Sequence, residues 1–85
     1  MRDEILTKVI SILSSLTNYG VDDISQTDTI EGDLDMSWET RIYFAQDIEN
    51  TFGILVSDDD LLSPDFISVD TVVGFIMRKQ EGKNV

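Results

Sequence analysis

Seventeen acidic and six basic residues among 85 positions give a formal net charge of −11, and 41% of the chain is hydrophobic. That length admits one small domain and excludes a large enzyme, while the charge opposes binding to nucleic acid or anionic lipid and favours a basic protein partner. With no Cys and no His, disulfides, thiol chemistry, imidazole acid–base chemistry and zinc sites of the usual ligand type are all excluded.

The first segment carries charges at Arg2, Asp3, Glu4 and Lys8, and no apolar run approaches the roughly 20 residues that span a bilayer, which predicts a soluble, cytoplasmic chain. Ile5, Val9, Ile12, Leu13 and Leu16 recur at steps of three and four, flanked by Leu6 and Ile10. The spacing predicts a first helix over residues 3–17, with Asp3 as its N-cap and Asn18, Tyr19 and Gly20 as its stop. Residues 20–36 read GVDDISQTDTIEGDLDM, rich in side chains that bond to their own backbone, and predict a long loop. Val21, Ile24, Ile30 and Leu34 are spaced to anchor it on a core.

From Ser37 to Phe52 the apolar residues Trp38, Ile42, Ala45, Ile48 and Phe52 step as one face of a second helix that stops at Gly53. Glu39, Asp47 and Glu49 belong to its polar face. Between Asp22 and Asp70 there are fourteen acids and one base, Arg41, so this stretch carries a local charge of −13. Ile54, Leu55 and Val56 read as a buried connector. Ser57 or Asp58 caps a short helix ending near Leu62, which Pro64 cannot extend. Ser68 then caps a last helix with the inward stripe Val69, Val72, Val73 and Ile76, with Phe75 alongside and the cations Arg78, Lys79 and Lys83 near its C-terminus. The expectation is an all-α bundle of three main helices and one short helix, with a long loop after the first. One domain spans residues 1–80, and residues 81–85 form a frayed tail. Strong like charge favours a monomer. Asp58, Asp59 and Asp60 lack the alternation of a calcium loop, so no metal site is expected.

This order of elements resembles an acyl carrier protein over nearly the whole chain. The stretch GDLDMSWETRIYFAQDIENTFGI is similar to the family's loop ending in Asp-Leu, its Asp-Ser-Leu motif and its acidic second helix, with Asp33, Leu34, Ile48, Glu49 and Phe52 on matching positions. FISVDTVVGFI resembles the family's last helix, with Ser68, Val69, Phe75 and Ile76 matching. The resemblance implies a carrier rather than an enzyme: the motif's Ser receives a 4′-phosphopantetheine arm from coenzyme A and holds acyl groups as thioesters.

Here the motif departs from the family's pattern. Aligned without gaps from Leu34 to Phe52, the attachment position falls on Trp38 and the motif's Asp on Ser37. A second register shortens the loop by one residue and makes Ser37 the attachment residue, at the cost of an extra residue within the second helix or a helix that begins one residue earlier. A Ser at a helix N-terminus suits a phosphodiester anion, and it equally suits a plain N-cap. In the carrier reading Ser37 holds the arm and Glu39, Asp47 and Glu49 dock on basic patches. The partners are then a phosphopantetheinyl transferase and acyl-transferring or synthase enzymes of a specialised biosynthetic pathway. In the competing reading the chain is an unmodified interaction module that docks on a basic partner through the same helix; charge alone suggests a third, a nucleic-acid mimic. Trp38 is expected in the core stripe ahead of a role as lid over an acyl pocket. Arg41 breaks the acidic pattern and, if it projects with the acids, narrows the set of partners.

Overall fold

A computed structural model describes residues 2–83. Helix α1 (Arg2–Leu16) is followed by a loop with a 3-10 turn at Val21–Asp23, then α2 (Trp38–Phe52), the short α3 (Asp58–Leu62), a 3-10 turn at Pro64–Phe66, and α4 (Val69–Lys83). The all-α bundle of three long helices and one short one, with the long loop after the first, is the architecture expected. No strand occurs among the described residues, and none of their helices is long and apolar enough to cross a membrane. Each helix contributes one buried stripe. Ile5, Val9 and Leu13 come from α1, Phe44, Ala45 and Ile48 from α2, Leu61 from α3, and Val69, Val72, Val73, Phe75 and Ile76 from α4. Phe66, from the 3-10 turn, sits between Phe44 and Phe75 in edge-on contacts with ring centroids 6.1 and 5.2 Å apart, a preferred aromatic geometry.

Helix ends follow local chemistry, with two departures from expectation. Asp3 lies inside the first turn of α1, because the helix already begins at Arg2. The C-terminus of α1 is not closed by a left-handed glycine, since Gly20 has φ −75°. Hydroxyls close it instead: Thr17 Oγ1 donates to Leu13 O at 2.8 Å, satisfying a carbonyl that the helix end leaves free, and Ser14 Oγ holds the departing chain by donating to Tyr19 O at 2.9 Å. Gly53 does end α2 in the left-handed region at φ 66°, its N–H donating to Glu49 O. Ser57 and Asp60 form a reciprocal capping box on α3, and Ser68 Oγ accepts the Thr71 N–H at the start of α4.

The long loop is pinned by both side chains and backbone. Ile24, Ile30, Leu34 and Met36 are buried, whereas Val21, expected as an anchor, opens the 3-10 turn and points outward. Ile30 N donates to Ile67 O, Val69 N to Asp28 O and Asp70 N to Gln26 O, all near 3 Å, so the loop is stitched to the start of α4. Within it, Thr29 N donates to Asp33 Oδ2 and Asp33 N to Thr29 Oγ1, both at 2.9 Å. The connector after α2 alternates: Ile54 is buried, Leu55 is exposed and Val56 is half-buried. Of the expected tail over 81–85, residues 81–83 continue α4, and 84–85 lie outside the described residues.

Candidate functional site: the N-terminus of α2

Ser37 caps α2 from an extended conformation (φ −70°, ψ 166°). Its Oγ accepts the Thr40 N–H at 3.2 Å and lies 3.0 Å from Thr40 Oγ1, and the side chain is exposed. Two residues earlier Asp35 takes φ 51°, a left-handed conformation that Asp tolerates better than most residues. This turn delivers Met36 into the core and Ser37 to the surface. The leading N–H groups of a helix lack intrahelical partners, so the hydroxyl sits where an anion is favoured. A polar groove of about 420 Å³ adjoins it, lined in part by Ser15, Thr17, Asn18, Tyr19, Asp35 and Thr40.

α2 runs as an uninterrupted α-helix from Trp38 to Phe52. It contains no bulge, and Ser37 stands immediately before it as the N-cap. The inward stripe also differs from the one expected. Phe44, Ala45 and Ile48 are buried, Phe52 packs against the core, and Arg41 stands one turn ahead of them on the same side at i, i+3, i+4 and i+7 spacing. Trp38, expected in the core, is 39% exposed. Its ring lies at the edge of the stripe in the first turn and stacks against the Arg41 guanidinium at 5.3 Å. Phe44 is buried although it lies outside the expected stripe; the series Phe44, Ala45, Ile48, Phe52 has helical spacing in the sequence as well.

Glu39 is exposed and Asp47 half-exposed. At 100° per residue, Asp47 and Glu49 flank Glu39 by about 80° on either side, so the three acids share the outward half of α2. Glu49 has a second job: its Oε2 accepts the Val56 N–H at 2.8 Å and ties the connector to the helix. Arg41 does not project with these acids. Its side chain is 19% exposed and lines a cleft of about 280 Å³ between the start of α2, the Thr29–Glu31 segment, α3 and the following turn.

No family model matches the chain, and no curated protein matches its sequence. Among solved structures, the acyl carrier protein from Enterococcus faecalis superposes with a TM-score of 0.76 at 26% sequence identity, over 93% of this chain and 98% of that one. The agreement runs over nearly the whole of both chains, and the fold is that of an acyl carrier protein. The protein is therefore acyl-carrier-protein-like, with an altered sequence where α2 begins.

Proposed function

We propose that this chain is a carrier that holds an acyl or aminoacyl group on a 4′-phosphopantetheine arm attached at Ser37, within a specialised biosynthetic pathway. The observation that supports it is an exposed hydroxyl at the N-terminus of α2 on this fold. The residues there fit such a group: Ser37 offers the oxygen, the first turn of α2 offers free N–H groups to the phosphodiester, and the polar groove beside Thr40 suits the amides of an arm. The chemistry supplied by a bound arm is a terminal thiol that carries acyl groups as thioesters. Ser37 needs no base within the chain, because the modifying transferase activates the hydroxyl. Glu39 and Asp47, with Glu49 beside them, present negative charge to basic patches on that transferase and on acyl-transferring or synthase enzymes.

One observation favours a second reading. The uninterrupted α2, starting at Trp38, fits the gapless register in which an indole occupies the attachment position, and an indole accepts no arm. The chain is then an unmodified module that docks on a basic partner.

Incubation with coenzyme A and broad-specificity phosphopantetheinyl transferases, read by intact mass, separates the two. The carrier reading expects a gain of one phosphopantetheinyl group that Ser37→Asn abolishes. Asn caps helices about as well as Ser, so the control keeps its fold. No gain with any transferase would leave the docking module. Under either reading, Glu39→Lys with Asp47→Lys weakens binding to a basic partner and flattens its salt dependence; Glu49 is better left alone, because its reversal also cuts the Val56 tether.

A further inference from the structure

Arg41 is the one base in a stretch with fourteen acids, yet it is turned away from the outward acids and is poorly partnered. Its Nε is buried with no hydrogen-bond acceptor, the one such side-chain atom among the described residues. Nη1 lies 3.6 Å from Glu31 Oε2, too far for a hydrogen bond, and the Glu31 side chain is 78% exposed. The remaining neighbour is the face of Trp38. A guanidinium carries a rigid fork of five donors, and leaving the buried Nε–H without an acceptor costs stability unless something else supplies one.

The cleft beside it has the matching shape and chemistry. Leu61, Phe66 and Ile67 make an apolar wall, and the hydroxyl residues Thr29 and Ser63 stand with Arg41 and the acid Glu31 on its lining. We propose that this cleft binds a short-chain carboxylate, with the guanidinium on the carboxylate and the hydrocarbon body against Leu61 and Phe66. A forked cation and a planar carboxylate can pair through two parallel N–H···O bonds. The surrounding acidic stretch repels a dianion about twice as strongly as a monoanion, which disfavours phosphate. A volume of about 280 Å³ has room for a small acid with a body of several carbons. The site is built from residues separate from Ser37 and needs no arm, so it goes beyond the carrier reading.

Trp38 is the sole tryptophan and touches Arg41, so its fluorescence reports the site. The unmodified full-length protein, with its mass verified, is titrated with acetate, propanoate and butanoate at constant ionic strength, with chloride and phosphate as competing arms. The expected result is a saturable emission change with affinity rising about threefold or more per added methylene. Arg41→Gln weakens it at least about tenfold, and Glu31→Gln, which removes the intrachain competitor, tightens it. Amide NMR shifts on titration of the wild type, centred on Thr29, Leu61 and Phe66, give a readout that does not depend on the folding of Arg41→Gln. No saturable response, equal response to phosphate, or an affinity that ignores both Arg41→Gln and Glu31→Gln would overturn the proposal. Because the protein is unmodified throughout, failure here is distinguishable from failure of the transferase experiment.

Discussion

Replacing Phe44 and Trp38 in turn by Ala tests which side of α2 faces the core. Phe44 is fully buried and packs edge-on against Phe66 at 6.1 Å, so Phe44→Ala loses about 3–5 kcal/mol from transfer and cavity terms. A domain of this size is stable by roughly 4–13 kcal/mol, and the loss consumes a large share of it. Trp38 is partly exposed and its named contact is the Arg41 stack, so Trp38→Ala loses no more than about 1 kcal/mol. Urea unfolding followed by far-ultraviolet circular dichroism reads both variants without using the tryptophan signal. With a slope of about 1 kcal/mol per molar urea, the midpoint falls by about 3 M or the transition vanishes for Phe44→Ala, and falls by less than about 1 M for Trp38→Ala. Phe44→Leu, which conserves most of the volume, falls between them at about 1 kcal/mol. Equal losses at the two positions, or the larger loss at Trp38, would refute the orientation of α2 and with it the placement of Arg41 beside the cleft.

Two further outcomes concern the fold. Gly53→Ala places a Cβ in the left-handed region at φ 66° and lowers stability by about 1–2 kcal/mol, with Gly53→Asn less harmful; a thermal melt in which Ala is tolerated as well as Gly would show that this turn relaxes. Raising NaCl from about 0.02 to about 0.5 M increases the melting temperature, because screening relieves repulsion within the acidic stretch by more than it weakens three exposed or half-exposed ion pairs. A melting temperature that falls across that range would contradict this balance.

Local chemistry located the helices, the stop at Gly53 and a cap at Ser57 or Asp58, and the resemblance to acyl carrier proteins supplied the arrangement of the bundle. The local features depend on neighbours a few residues apart, and so they are legible in order and spacing. The long loop was readable as anchored, since Ile24, Ile30 and Leu34 are isolated apolar residues among acids and hydroxyls and are buried as expected, unlike Val21. Its stitching to the start of α4 through Asp28, Ile30 and Gln26 was not, because backbone pairing across some forty residues leaves no side-chain signature. In α2, two apolar series compete within one segment: Trp38 and Ile42 lead one, Phe44 the other. Amphipathic spacing cannot rank them, because an indole in the first turn scores as apolar whether or not another helix covers it. Packing against α1 and the Phe66 turn decided the matter, burying Phe44, leaving Trp38 at the rim and rotating Arg41 inward. The composition of this helix was thus sufficient to make it a helix, and only the surfaces it meets determined which of its side chains are held inside and which face outward.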